Sequence, residues 1–239
     1  MVLAGTEREG DIASLTAPYY FELGMRWFLH YRSPTVEGAT VEGLHHIERA
    51  RSEGTGVILS FLHMGNYAML FRALRNAGID ATVPAADDGF APQLVGALGL
   101  ERVQGQEHLR GMHVIPATGS YPELVAIVSA GGAVTIAFDV PGSTRTEMLG
   151  RTLGLKSGTA RLAVDTGAPV LPLDVRRRGA HLVLRVMAPI RPAASVAETH
   201  RRLADTMGRL VMDRPEAVER PQWRYIEAPS AAPSAESKA

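Results

Sequence analysis

The 239-residue chain has 25 basic and 25 acidic residues, so its formal net charge is 0 and no general field attracts nucleic acid. It contains no cysteine, which excludes disulfides, thiolate zinc sites, iron–sulfur clusters and a cysteine nucleophile. Hydrophobic residues make up 46% and charged residues 21% of the chain, proportions typical of a globular fold.

The sequence predicts no membrane-spanning helix, because no uninterrupted apolar run reaches the roughly 18 residues that a span needs. Residues 1–11 are acidic and lack the basic-then-apolar order of a secretory signal. We therefore expect a cytoplasmic location, with peripheral contact to the inner membrane face left open.

The N-terminal part contains an aromatic-rich amphipathic stretch at residues 12–31, which predicts a helix that Pro18 breaks into two pieces. The first interpretation is a helix packed on the core, and the second is a helix on a membrane surface or beside a lipid pocket. A further helix is predicted over residues 40–52, closed by Gly54.

Strands and helices alternate through the rest of the chain. The apolar run at residues 56–62 predicts a buried strand. Later strands are predicted at 81–84, 112–115, 134–138, 169–176 and 181–186, and helices at 65–76, 92–98, 122–129, 157–166 and 196–213. This order is typical of one α/β domain with a mostly parallel, mixed central sheet flanked by helices. The last two strands are predicted to form an antiparallel hairpin turning at Gly179.

The predicted organisation has three parts. Residues 1–35 form a helical segment packed on the core, residues 36–227 form the α/β domain, and residues 228–239 form a low-complexity disordered tail.

The most informative stretch, GVILSFLHMGN, ends the predicted buried strand at His63. Ligands of open α/β sheets bind at the carboxyl ends of strands, where a histidine can act as a general base. Gly65 allows close approach of the backbone to a ligand, and the amides of the next helix can stabilise an oxyanion. The simpler alternative is a buried histidine bonded to a backbone carbonyl.

The stretch from Val41 to Asn66 resembles the lysophospholipid acyltransferase superfamily, closest to its lipid A biosynthesis lauroyl/myristoyl and phosphatidylinositol-mannoside acyltransferase branch. Further segments follow in the family's order: 131–139 (GGAVTIAFD), 149–150 with 157–163 (SGTARLA), 166–172 (TGAPVLP) and 221–225 (PQWRY). The resemblance implies a glycerolipid-acyltransferase-like α/β domain over most of the chain.

In that family the histidine of a His-x4-Asp/Glu motif takes the proton of an acceptor hydroxyl, and the carboxylate orients the imidazole. The oxygen then attacks an acyl thioester of coenzyme A or acyl carrier protein. The resemblance thus implies His63 and Asn66 as catalytic residues and Gly65 and Tyr67 as substrate-binding residues. It implies an acyl-thioester donor substrate and no permanently bound cofactor.

The chain departs from the motif at Ala68, which stands where the family has its acid. Another carboxylate can substitute, with Asp139 as the leading candidate and Asp87 and Asp88 behind it. Alternatively His63 acts alone on a better nucleophile, or acyl transfer has been lost. Asp139 also has a simpler interpretation as a turn residue before a Pro-Gly pair.

Basic residues cluster around the segment after Asp139, and Arg145, Arg151, Lys156 and Arg161 are candidates for binding the phosphates of the donor. A solvated basic surface is the alternative. The run at 176–178 is interpreted as an exposed hairpin turn, with carrier-protein docking as the alternative. The other histidines lack metal-ligand spacing, so no metal site is predicted.

We therefore expect an acyltransferase that moves an acyl group from acyl-CoA or acyl carrier protein to a hydroxyl or amine. Without the motif acid, a nitrogen nucleophile is favoured, on a soluble or carrier-tethered acceptor such as a specialised-metabolite intermediate. The alternatives are a catalytically degenerate lipid- or acyl-binding homologue, a partner subunit, and a thioesterase.

Overall fold

The computed structural model describes residues 3, 6–30, 38–85, 112–179 and 181–228. The strands are β1 (Thr40–Glu42), β2 (Val57–Phe61), β3 (Thr82–Ala85), β4 (His113–Pro116), β5 (Ala133–Ala137), β6 (Pro141–Met148), β7 (Arg151–Leu155), β8 (Val170–Arg178) and β9 (His181–Val186). The α-helices are α1 (Thr16–His30), α2 (Leu44–Ser52), α3 (Leu70–Asn76), α4 (Tyr121–Ser129), α5 (Gly158–Thr166), α6 (Val196–Asp213) and α7 (Pro221–Arg224).

A seven-stranded sheet organises the described part of the chain, in the order β1-β9-β8-β2-β5-β3-β4. Its pairs are parallel except the antiparallel β8–β9 pair. The prediction of an α/β fold with a mostly parallel, mixed sheet is therefore confirmed.

The central strand β2 is buried along its whole length between β5 and β8. Successive side chains of a strand point to opposite faces, and β2 follows this rule. Ile58 packs into an apolar cluster with residues of α4, α5 and α6, whereas Leu59 and Phe61 pack into a second cluster with residues of α2 and α3. Burial on both faces explains why this strand reads as a continuous apolar run.

The N-terminal helix α1 is continuous, so the predicted break at Pro18 is wrong. Helix α1 begins at Thr16, which places Pro18 in its first turn. A proline there costs little because the first backbone N–H groups of a helix have no intrahelical partner.

The helix predicted over residues 40–52 is wrong in its first part. Thr40–Glu42 forms the edge strand β1, which pairs in parallel with β9, and α2 starts only at Leu44. Gly43 separates them with a φ of 78°, and a Cβ there would lie 2.1 Å from the carbonyl oxygen of Val186. Only glycine fits this turn without strain.

The helix predicted at residues 65–76 is shorter than expected. A 3-10 turn, Tyr67–Met69, comes first, and α3 follows from Leu70. The segment between His63 and Ala68 is therefore not a regular helical turn.

The β6–β7 hairpin was not predicted from the sequence. Strand β6 alternates largely between exposed and half-buried residues and is mostly polar, so it carries no apolar signal. Its turn uses Leu149, with a φ of 58°, and Gly150.

The predicted β8–β9 hairpin with its turn at Gly179 is confirmed. The arginines at 176–178 are the last residues of β8 rather than part of the exposed turn, and they form ion pairs within the chain. The pairs are Arg176 with Asp174 and Asp213, Arg177 with Glu22, and Arg178 with Glu42. Carrier-protein docking stays a prediction.

Some predictions fall outside the described residues: the helix at 92–98, the candidates Asp87 and Asp88, and the tail beyond residue 228. Among the helices that are described, none has the length and apolar character required to cross a bilayer.

A tight backbone approach at the start of β2 generates a stability prediction. A Cβ on Gly56 would lie 2.3 Å from the Gly132 carbonyl oxygen and 2.4 Å from that of Val128. We expect Gly56→Ala to lower the free energy of unfolding by about 2–3 kcal/mol in urea titrations, because both clashes are with backbone. Gly24→Ala in α1, where nothing lies within 4 Å, is the control and should be neutral or stabilising. Wild-type stability of Gly56→Ala would contradict this packing.

Candidate active site

The pairing of β2 with β5 determines which side chains meet at the carboxyl edge of the sheet. The two strands are parallel, and Phe61 at the end of β2 is opposite Ala137 at the end of β5. Two residues further along each chain come His63 and Asp139. A continued register therefore brings these two residues together where open α/β sheets bind their ligands.

His63 and Asp139 make two hydrogen bonds. The imidazole Nδ1 lies 2.7 Å from Asp139 Oδ1, and the backbone N–H of His63 donates to Asp139 Oδ2 at 3.0 Å. The Asp139 side chain is fully buried, whereas 17% of the His63 side chain is exposed. The carboxylate therefore fixes both the ring and the backbone of His63, which the turn-residue interpretation does not explain.

The charge state of Asp139 decides the tautomer of His63. Burial alone would raise the pKa of Asp139, but His63, through its charge and hydrogen bonds, and then Arg224 hold that pKa below its usual range. An ionised carboxylate can only accept hydrogen bonds, so Nδ1 carries the proton that it shares with Asp139. In neutral His63, Nε2 is then unprotonated and able to accept a proton.

Aromatic rings and a second chain segment hold His63 in place. Its ring centroid lies 5.5 Å from that of Phe61 and 4.7 Å from that of Tyr67, which meets it edge-on. The His63 carbonyl accepts a 2.8 Å hydrogen bond from the backbone N–H of Glu219. The residues just before α7 thus pair with the loop after β2.

Gly65 and Asn66 serve the backbone of this loop. The Gly65 N–H donates to the Ala217 carbonyl, and a Cβ at Gly65 would lie 3.1 Å from the Val175 carbonyl oxygen. Asn66 is 5% exposed, and its carbonyl accepts from the N–H of Met69 to start the 3-10 turn. The close approach of the Val175 carbonyl accounts for a glycine at position 65, and the Gly65 N–H is already bonded to Ala217.

Ala68, at the position where the resemblance leads us to expect an acid, contacts apolar residues. Together with Met25 and Ala39 it packs against a small cluster formed by Met69 and Leu182. The 3-10 turn, in place of a regular helix, is the local reason for this geometry.

A network of charges surrounds the His63–Asp139 pair. Arg224 Nε lies 3.9 Å from Asp139 Oδ2, and an Nη of the same guanidinium lies 3.7 Å from Glu219. Glu219 hydrogen-bonds with Tyr67, and burial followed by the charge of Glu219 raises the pKa of that tyrosine well above its usual value. Arg26 of α1 lies 3.6 Å from Glu219 and also donates to the Gly65 carbonyl. No sequence pattern marks Glu219 or Arg26 as site residues.

A cavity of about 190 Å³ lies at the same edge of the sheet. Its wall includes the end of β5 and Val140, the residue after Asp139, whereas His63 and Asp139 themselves do not line it. It is mostly apolar and lies against the start of α5. The lining residues are Pro84, Ala117, Tyr121, Leu124, Ile136, Ala137, Val140, Lys156, Gly158 and Thr159.

The predicted phosphate-binding cations are only partly brought together. Lys156 lines the cavity, and Arg161 lies 4.8 Å from the ring centroid of Tyr121, another lining residue. Arg151 is five residues before Lys156, about 16 Å along β7 at strand spacing, and it lines a different cavity between the β6–β7 turn and α6.

The amino-acid sequence matches a known protein family. The family model for bacterial lipid A biosynthesis acyltransferases matches residues 14–224, most of the chain. The chain belongs to this lipid A acyltransferase family. The match contains β2, β5 and the segment up to Arg224, so it includes all the residues of the His63–Asp139 site. Among curated proteins, none is significantly similar in sequence.

Within the part of the lipid A acyltransferase-family chain that the structure describes, no three His, Asp or Glu residues are grouped so that they can hold a metal ion.

The buried Asp139 generates a prediction about stability and pH. Because folding lowers the pKa of Asp139 below its ordinary value of 3.8, the ionised carboxylate stabilises the fold above that pH, and this contribution is lost as the pH falls through the folded pKa. We expect wild type to exceed Asp139→Asn in unfolding free energy by about 2 kcal/mol at pH 7, and the difference to shrink below pH 4. Asp205→Asn on α6 is the control. A difference independent of pH would contradict the ionised pair.

Proposed function

We propose that this member of the lipid A acyltransferase family transfers an acyl group from a thioester to a hydroxyl or amine, with His63 as general base. The observation that carries the proposal is the 2.7 Å contact between His63 Nδ1 and the fully buried Asp139 at the carboxyl edge of the sheet. A base and an orienting carboxylate in this arrangement are what nucleophile activation requires.

The steps follow from the tautomer of His63. Nε2 takes the proton of the acceptor hydroxyl as its oxygen bonds to the thioester carbonyl carbon. Asp139 stays ionised and stabilises the imidazolium. The tetrahedral intermediate collapses, the carbon–sulfur bond breaks, and the imidazolium returns the proton to the thiolate. The products are an ester, or an amide from an amine, and a free thiol.

In this proposal Asn66 supplies hydrogen-bond donors to the carbonyl oxygen that becomes negative. It is buried three residues after His63, and its side chain carries two N–H donors. Donors that are fixed before the reaction stabilise such an oxyanion strongly in a water-poor site.

This apolar cavity is proposed to receive the donor, acyl-CoA or the acyl group of acyl carrier protein. Among the described residues of its lining, Lys156 is the one cation and lies next to the start of α5, and Arg161 flanks the same wall through Tyr121. Positive charge beside helix N-terminal amides favours a phosphate of coenzyme A or phosphopantetheine.

The acceptor is proposed to be a soluble or carrier-tethered molecule. A net charge of 0 provides no general attraction to an anionic bilayer. The sequence favours an amine acceptor only on the premise that His63 has no carboxylate partner. With Asp139 2.7 Å from the imidazole, hydroxyl acceptors are equally suitable.

The alternative of a degenerate, non-catalytic homologue depends on Ala68. A carboxylate already contacts His63 from another strand, so the missing acid alone does not favour that alternative. Hydrolysis by water is a separate alternative, and it would release thiol without any acceptor.

The general base is tested by thioester turnover. We expect His63→Ala and Asp139→Asn each to lower kcat by about 10³–10⁴-fold, since one removes the base and the other its orienting charge. His181→Ala, which changes an exposed histidine of β9, is the matched control and should keep wild-type turnover. Thiol release and acyl product are measured together. Unchanged transfer by His63→Ala would exclude this mechanism.

The acceptor class is tested with one acyl-CoA donor and two sets of acceptors. Soluble alcohols and amines are compared with lysophospholipid or glycolipid in vesicles, and we expect turnover with the soluble set. Turnover confined to the vesicles would contradict the proposed acceptor, and release of thiol without an acceptor would indicate a hydrolase.

A further inference from the structure

Several polar atoms around Glu219 are buried yet lack a hydrogen-bond partner within the described residues. They are Arg26 Nη1, Glu219 Oε2 and Arg224 Nε. Their ion-pair distances of 3.6–3.9 Å exceed hydrogen-bond length. These groups therefore act on one another mainly through charge.

Arg224 occupies the central place in this arrangement. Its guanidinium lies between two carboxylates, 3.9 Å from Asp139 and 3.7 Å from Glu219. Only 17% of its side chain is exposed, as is also true of Glu219, so solvent screens the three charges weakly.

We propose that Arg224 is a positioning residue for the His63–Asp139 pair: its charge balances the buried carboxylate, and Glu219 holds the guanidinium in place. This inference rests on the proposed function of the pair. No sequence motif assigns a role to Arg224, and in this proposal Arg224 acts on the reaction through Asp139.

The physical need for such a cation comes from the burial of Asp139. A fully buried carboxylate is costly unless it is paired and hydrogen-bonded. When His63 is neutral it supplies hydrogen bonds but no positive charge, and in that state Arg224 is the cation beside Asp139. Arg224 thereby keeps the carboxylate available to orient the neutral imidazole.

Other titratable groups face the pair from the neighbouring elements. Tyr67 and Tyr225 stay neutral, because burial first and nearby carboxylates second raise the pKa of each well above its usual value. Arg26 and Glu219 carry opposite charges and lie 3.6 Å apart. Removing Arg224 thus leaves the site more negative, and the pair takes up a proton at higher pH.

The experiment follows this proton uptake in two ways, by NMR titration of the protein alone and by the pH dependence of kcat. In the full chain, the Cε1 proton of His63 is followed by NMR against pH and assigned by its loss in His63→Gln. We expect Arg224→Met to move the midpoint up by about one pH unit and Arg224→Lys to restore it. On the acidic limb of the kcat profile, Arg224→Met should then be about ten-fold slower, recover at higher pH and keep its KM.

A second variant tests the sign of the effect. Glu219→Gln removes a negative charge and frees Arg224 for Asp139, so the midpoint should move down by about half a unit. Arg201→Met, on the exposed face of α6, is the control for loss of an arginine and should leave midpoint and turnover unchanged.

The outcomes separate this inference from the proposed function. A folded Arg224→Met with the wild-type midpoint, or shifts of the same sign in Arg224→Met and Glu219→Gln, would overturn the role of Arg224. If the midpoints move as expected but wild type transfers no acyl group, the role of Arg224 in organising the pair stands and the proposed function fails. If Arg224→Met does not fold, the midpoints of Arg224→Lys and Glu219→Gln test the role of Arg224. A midpoint of Glu219→Gln that does not move down would then overturn it.

Discussion

The parallel pairing of β2 with β5 is the constraint on which the site depends. Backbone hydrogen bonds hold Phe61 opposite Ala137, and the next two residues of each strand end in His63 and Asp139. Because β2 is buried on both faces, a slip in its register would disrupt the packing of two apolar clusters. The geometry of the base and its carboxylate therefore depends on two paired strands that each end two residues before the site.

Placing a carboxylate at a fully buried position imposes requirements on the rest of the chain. Asp139 needs a cation, Arg224 needs a second carboxylate to hold it, and Glu219 is in turn paired with Arg26 from the N-terminal helix. This series of charge compensations links α1, the segment after β5, and α7 with the residues just before it. It explains physically why residues so far apart in the chain converge on one edge of the sheet.

The sequence predicted the elements that carry a periodic apolar signal, and it predicted the strand-end His63 with Asp139 as its leading partner. It missed β6, whose residues are mostly polar, and β1, whose three residues are too short for any period to be visible. The roles of Glu219 and Arg26 arise from long-range packing, and no local pattern marks them. The register of β2 with β5 is a long-range feature that the sequence can indicate. Both strands are five residues long, and each is followed by one apolar and then one titratable residue.

Ala68 has a consequence for how relatives of this chain are sorted into enzymes and pseudoenzymes. A screen that requires an acid five residues after the histidine would discard this sequence, although a carboxylate from the adjacent strand contacts the imidazole. An acidic residue at position 68 would place a charge among Met69, Leu182 and Met25, which are apolar surroundings. In this chain the carboxylate that contacts the imidazole instead follows the neighbouring strand β5.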